Sequence, residues 1–400
     1  MAYFPNSKGF IILGLILIIL LIPIIQVVRP CPVIEAKPIS PEIELPGNFS
    51  VTFPAQGESA VGTDNLGVIA STDDQTPVPI ASVAKIMTAY LVLQTYPLKA
   101  GQTGPSLIMN AQDVSDYQFS VENGHSVLKV EEGESLTEKQ LLQGLMLPSA
   151  NNIANTLARW VSGSEEAFVD KMNETAESLG MKDTHYADAS GVSPETVSNA
   201  VDQIKIARVA MEDPIFREIV AMPQVTLPVA GTVYNVNYML GKHGIVGIKT
   251  GSTLDAGGCF VSAAPIVAGK EKHYIIAAVL GQKTEQSLKS ALDTNAEILN
   301  QVRTQLQLYP LTQPSTGFSQ ITTAWHTNSD LTTTQPVQIF GYPGMKLSLS
   351  IDLLKTQLPI SVGENVAVLK IQSGQELLEV PLQNTKQINR PGLLWRLLRN

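Results

Sequence analysis

The chain predicts an α/β domain, in which helices and strands are interleaved, followed by a small all-β domain. Between residues 60 and 308, segments with apolar residues at helical spacing alternate with short apolar strands. After Tyr309 the pattern changes to strand-like alternation, in Lys346 to Ile351 and Val366 to Ile371, behind a stretch rich in Thr and Gln. The chain has 400 residues, 44% hydrophobic and 16% charged, which is more than one compact domain needs and too apolar for disorder.

Partners are bounded by charge. With 27 basic against 36 acidic residues the formal charge is -9, so nucleic acid is not the expected partner, because it would demand a basic excess. Cys31 and Cys259 lie 228 positions apart with no Cys/His cluster, so neither a zinc site nor a disulfide framework is expected.

The elements follow in order. Phe10 to Val28 is nineteen residues without a charge, enough for about one membrane crossing, which requires roughly 20 apolar residues. The competing reading is a cleaved signal peptide, whose apolar stretch is shorter and ends in small residues, whereas VVRPCPVIEA follows here. Residues 1–30 are therefore read as an anchor or signal, with the remainder on the extracytoplasmic side of the cell membrane. Residues 31–59, with Pro32, Pro38, Pro41, Pro46 and Pro54, read as an extended spacer. Ala60 to Thr63 and Leu66 to Ala70 predict a hairpin around Asp64-Asn65. Helices are expected at Ser82 to Gln94 and from Thr137, where Thr137 and Gln140 fit a capping box with Leu136 and Leu141 as its staple, to about Val161. Further helices are expected at Glu165 to Leu179, Val201 to Met211 and Thr284 to Leu306. Strands are expected at Val246 to Lys249, Gly258 to Ala264 and His273 to Leu280. The domain of residues 60–308 then gives way to the β domain, 309–388, and to a short tail, 389–400. Its last residues, Pro391 to Arg399, combine Trp395 and four leucines with two arginines, and either lie in a membrane interface or pack on the β domain.

Three short motifs carry chemistry. Ser82-Val83-Ala84-Lys85 puts a hydroxyl and an amine about one helical turn apart, and a desolvated lysine is neutral enough to take the serine proton. About one or two such pairs arise by chance in a chain this long, and the bland reading is a surface lysine near a helix start. Ser149-Ala150-Asn151 follows the Leu147-Pro148 break, placing two polar side chains on a loop between helices; alone, Ser149 reads as a helix cap, and only its position relative to the other motifs favours a catalytic role. Lys249-Thr250-Gly251 ends an apolar strand. Lys249 and Thr250 offer donors to a carboxylate, and Gly251 removes a side chain where a substrate backbone must approach. Such a triplet arises by chance in roughly one chain in ten, and its bland reading is a strand end with a turn glycine.

Their order, with 67 residues from Ser82 to Ser149 and 100 more to Lys249, is joint information, since the set S-x-x-K, S-D-N and K-T-G occurs together in class A β-lactamases and penicillin-binding proteins. From Ala60 to Leu308 the chain resembles the serine-type D-alanyl-D-alanine carboxypeptidases, low-molecular-mass penicillin-binding proteins of peptidase family S11. The resemblance extends to Pro79-Ile80-Ala81-Ser82, to Leu179-Gly180-Met181-Lys182-Asp183-Thr184-His185-Tyr186 and to Gly247 to Thr253. From Pro336 onward the chain is similar to that family's C-terminal β domain, and the Trp395 tail to its amphipathic end. Three departures stand out: Ala150 replaces the usual glycine, Val83-Ala84 a threonine-rich pair, and the tail is short. The first two spare the reactive side chains.

The resemblance implies a β-lactamase/transpeptidase-like fold, an antiparallel sheet flanked by helices, and cleavage of the terminal D-alanine from peptidoglycan stem peptides ending in D-Ala-D-Ala. It implies Ser82 as nucleophile, Lys85 as base, Ser149 as proton relay to the leaving D-alanine and Asn151 as support for Lys85 or the substrate amide. Lys249 and Thr250 would hold the terminal carboxylate beside Gly251, with the backbone amides of Ser82 and Ser252 as the oxyanion hole. β-Lactams are implied as inhibitors, with no cofactor or metal. Two other functions stay open: a class A-like β-lactamase, with Glu195 and Asn199 at superficially suitable spacing, and a non-catalytic membrane-anchored wall-binding protein. A Ser/His triad through His185 or His243 has no indicated acid.

Overall fold

The computed structural model describes residues 7–32, 34–312 and 317–399. These form two units, one of Gly47–Gln307 and one that joins Met1–Pro46 to Leu308–Asn400.

The first unit is built on a five-stranded sheet in the order Gly247–Thr253, Gly257–Ala268, Glu271–Gln282, Glu58–Thr63, Gly67–Ser71, every neighbouring pair antiparallel. The predicted hairpin is present, and its turn is held by Leu66 N donating to Thr63 Oγ1 at 3.0 Å. Burial is continuous from Ile275 to Gln282, which requires cover on both faces of that strand. Helices Ser287–Arg303 and Ala200–Ala210 both pack on it. Asn295 is a polar residue in this core; its Nδ2 donates to the carbonyls of Phe260 (3.2 Å) and Ala277 (2.9 Å), which offsets the cost of burying it.

The remaining helices gather around Lys85–Thr95, which is buried on nearly every side through Ile86, Met87, Ala89, Leu91 and Leu93. The expected capping box exists: Gln140 N donates to Thr137 Oγ1 (3.3 Å), Thr137 N to Gln140 Oε1 (2.9 Å), and Leu136 and Leu141 are buried as its staple. The helical stretch expected from Thr137 to Val161 is two helices, Glu138–Met146 and Asn151–Ser162, separated at Pro148. Two helices escape the periodicity reading, Ala111–Glu122 and Pro214–Val220. The first has little apolar stripe to find. Its buried residues are Asp113 and Ser120, and it is tied down by Arg159 to Asp113 (2.8 Å) and Asp116 (2.6 Å).

The second unit departs from the sequence reading in one respect. The proline-rich segment expected to be a free spacer supplies the two outermost strands of a seven-stranded sheet, ordered Glu35–Pro38, Gly317–Thr322, Asn328–Thr332, Glu376–Asn384, Asn365–Ser373, Lys346–Leu353, Glu42–Glu44. Edge strands tolerate proline because one side of the ladder needs no N–H. Ser7–Val28 is a helix of 22 residues. Counted over the described residues alone, no helix is long and apolar enough to cross a membrane; the side chains at 7–10, 13, 15 and 19 of this helix lie outside that set. The C-terminal tail forms the short helix Leu393–Leu398, in which Trp395 meets Trp325 edge-to-face at 5.7 Å. Arg399 donates to the carbonyls of Gln26 (2.9 Å) and Pro30 (2.9 Å), an arrangement that complements the negative end of the N-terminal helix.

Candidate active site

Ser82 does not begin an α-helix. It sits in a 3₁₀ turn, Ala81–Ala84, that runs into Lys85–Thr95. Side chains three apart eclipse in a 3₁₀ turn, and the consequence is direct: Lys85 Nζ lies 2.8 Å from Ser82 Oγ. The turn is wedged between two glycines. Ala81 has φ 48°, and a β-carbon on Gly191 would stand 1.8 Å from its carbonyl oxygen. On the other side a β-carbon on Gly251 would stand 2.9 Å from Ser82 N and 3.0 Å from Ile80 O. Gly251 therefore makes room for the turn that carries Ser82, where the sequence reading had assigned that room to a substrate backbone.

Lys85 is completely enclosed and has three neighbours in reach: Ser82 Oγ, Asn151 Oδ1 at 2.7 Å and the backbone carbonyl of Ser190 at 2.8 Å. Burial, and then the charge of Lys249, push its ammonium pKa well below the ordinary lysine value, with Asp188 opposing. A neutral amine has two N–H donors and one lone pair. Asn151 Oδ1 and the Ser190 carbonyl can only accept, so they take both N–H groups and leave the lone pair facing the hydroxyl of Ser82.

Ser149 and Asn151 arrive on the break between helices. The alternative that Ser149 is a helix cap fails, because the cap position is Ala150 and carries no side-chain bond. Ser149 has φ 67°, and its Oγ is buried with no hydrogen-bond partner among the described residues. Lys249, Thr250 and Gly251 are buried on the strand Gly247–Thr253, which forms an edge of the sheet, and Ser252 is exposed just after them. Lys249 Nζ donates to Thr250 O at 2.9 Å, and burial lowers its pKa to about 7.

Other candidates fall elsewhere. Glu195 is exposed, and Asn199 caps the helix Ala200–Ala210 through Asp202 N (2.8 Å) while bonding Asp183 (3.1 Å), so neither joins Lys85 and Ser82. His185 is exposed and pairs by its backbone with Val197, and His243 contacts Asn300. Sequence reasoning missed Ser190 and Asp188. A backbone carbonyl has no sequence signature; the Asp-Ala-Ser-Gly run signals a turn but not that the turn ends beneath a lysine 105 positions away.

Comparison with known proteins shows the family and the fold. The family model for D-alanyl-D-alanine carboxypeptidase matches residues 55–284. A D-alanyl-D-alanine carboxypeptidase of Mycobacterium tuberculosis is 34% identical over 218 residues, 53% of this chain and 70% of the relative. The crystal structure of the Streptomyces K15 DD-transpeptidase superposes with a TM-score of 0.54 at 28% identity, over 63% of this chain and 98% of that one. A peptidoglycan synthesis regulatory factor of Streptococcus pneumoniae, with a TM-score of 0.63 at 20% identity over 84% of this chain and 100% of that one, shares the fold.

Proposed function

From the premise that the chain belongs to the D-alanyl-D-alanine carboxypeptidase family, we propose the following division of labour among its residues. The protein is a serine-type hydrolase that removes the terminal D-alanine from peptidoglycan stem peptides. Ser82 Oγ attacks the carbonyl between the two D-alanines while its proton passes to the lone pair of Lys85. Asn151 holds Lys85 in that orientation. Negative charge developing on the carbonyl oxygen is received by the amides of Ser82 and Ser252, the first of them kept open by Gly251. Ser149, whose hydroxyl has no competing partner among the described residues, carries a proton to the leaving D-alanine. Lys249 and Thr250 bind the carboxylate of that D-alanine. Water then hydrolyses the acyl-enzyme, and β-lactams acylate the same serine.

The observation that carries this reading is the enclosed lysine 2.8 Å from Ser82 Oγ with its other partners restricted to acceptors. Labelled penicillin should mark the parent protein on the peptide containing Ser82 and leave Ser82→Ala unmarked, and D-alanine release from a D-Ala-D-Ala peptide should follow the same pattern. An unmarked parent sinks the reading. Rapid drug turnover that depends on Glu195 would favour a β-lactamase instead; the exposure of Glu195 speaks against it.

The membrane reading is also ours. Ser7–Val28, at 1.5 Å per residue, is about 33 Å long, a match for the hydrocarbon core, and Phe10 to Val28 carries no charge. It would hold the protein in the cell membrane with the catalytic unit on the extracytoplasmic side. Sequencing of the mature amino terminus tests this, and a start after residue 28 refutes it.

A further inference from the structure

The loop from Ala187 to Thr196 has no place in the family motifs quoted above, yet it supplies a partner of the base. Its organiser is Asp188. One carboxylate oxygen, Oδ2, accepts from Ser190 N (3.1 Å), Ser190 Oγ (2.6 Å) and Val192 N (3.0 Å). The other, Oδ1, accepts from Thr196 Oγ1 at 2.6 Å, and that hydroxyl in turn accepts from Ala187 N (3.0 Å) and Asp188 N (3.2 Å). Four donors converge on one carboxylate, so the turn has a single arrangement. The turn is also locked from outside: Thr88 Oγ1, from the helix of Lys85, donates to Ala189 O at 2.6 Å, and Gly191 fits against Ala81 O. The product of all these bonds is the position of one backbone oxygen, that of Ser190, 2.8 Å from Lys85 Nζ.

We propose that Asp188 is a positioning residue for the base: by fixing the Ser190 carbonyl it takes up one N–H of Lys85 and so aims the lone pair at Ser82, while its charge opposes that of Lys249. The charged groups acting on Lys85 are Lys249, from the edge strand, and Asp188, from this loop; its other polar neighbours, Ser82, Asn151 and the Ser190 carbonyl, are neutral. The proton balance is simple. Ser82 loses its hydroxyl proton to Lys85 Nζ as the Oγ–carbon bond forms, and the ammonium that results keeps its N–H bonds to Asn151 Oδ1 and Ser190 O. Asp188 never touches the substrate.

This inference rests on the acyl-enzyme reading of Ser82, and the experiment separates the two. Acylation of the full chain by a fluorescent penicillin is followed against pH for the parent, Asp188→Asn and Thr196→Val. Asn retains the size and one acceptor but removes the charge. Neutral Lys85 is the active form, so the rate rises with pH through the Lys85 titration; without Asp188 the ammonium is less stabilised. The ascending limb should therefore move to lower pH by roughly half a unit to one unit, and the plateau rate should fall about tenfold as the amine becomes less basic and less well aimed. The descending limb, which belongs to Lys249, should stay in place. Thr196→Val keeps the charge and loosens the turn, so its rate should fall several-fold with the ascending limb not moved downward. An unmoved limb in Asp188→Asn, with or without a lowered melting temperature, overturns the proposal. If that variant does not fold, a parental rate in Thr196→Val overturns it equally. Absence of any Ser82 adduct on the parent overturns the acyl-enzyme reading itself.

Discussion

Gly251 and Ser82 are in contact through what glycine lacks: a β-carbon at 251 would stand 2.9 Å from the backbone nitrogen of Ser82. The edge strand and the turn of Ser82 can approach this closely only because that position is bare. Neighbours that are backbone cannot swing aside as a flexible side chain can.

The first expected outcome concerns that contact. Gly251→Ala should separate strand from turn and displace the Ser82 amide from its proposed oxyanion position. Overpacking of this kind costs about 1 to 3 kcal/mol, and loss of one oxyanion donor lowers kcat roughly 100-fold. Thermal melting and D-alanine release check both numbers. A variant with parental kcat would show that the Ser82 amide is not the donor.

Asn151→Asp tests the protonation state of the base. A carboxylate 2.7 Å from Lys85 Nζ would favour the ammonium and raise the lysine pKa, against the lowering that burial imposes. Acylation near neutral pH should fall by about one to two orders of magnitude and recover as pH is raised through the new titration. A loss equal at every pH would assign Asn151 to the substrate amide instead.

Lys249 should read the free carboxylate of the terminal D-alanine. Hydrogen bonds to charged groups contribute about 1.5 to 3 kcal/mol, so Lys249→Ala should lower kcat/KM by roughly one to two orders of magnitude for a D-Ala terminus and by less for the amidated terminus. Its pKa of about 7 in the free enzyme adds a pH signature: binding of the acid should weaken as pH rises through that value, whereas the amide should show no such limb. The stability consequence has the opposite direction. The folded pKa lies below the unfolded lysine value, so between the two the unfolded chain binds more protons and stability rises with pH. Lys249→Met should flatten that rise in melts from pH 7 to 10. Equal losses on acid and amide would mean Lys249 does not read the carboxylate.

Ser149 is held at φ 67°, a conformation glycine adopts without strain. Ser149→Gly should leave stability unchanged or raise it by up to about 1 kcal/mol, because the relieved strain and the added chain entropy nearly cancel. Activity should nonetheless fall roughly 100-fold with the loss of the relaying hydroxyl. Paired melting and turnover measurements decide it: a variant that loses stability and activity together would make Ser149 a structural residue.

The sequence by itself determined which side chains are candidates for the chemistry, and much of the frame. The identities of Ser82, Lys85, Ser149, Asn151 and Lys249, with their order and spacing, were legible because reactive groups are side chains and side chains are written in the sequence. So were the capping box at Thr137 and the hairpin at Asp64-Asn65, whose stabilising bonds lie within a few residues of each other. Tertiary structure alone decided the rest. The proline-rich segment became two edge strands because partners 281 to 306 positions away present a free ladder edge to it, and no local signal encodes a partner's edge. The same limit hid Gly191, Asp188 and the Ser190 carbonyl, since what aims Lys85 is a backbone atom, identical in every residue type, and only its place in space makes it part of the site.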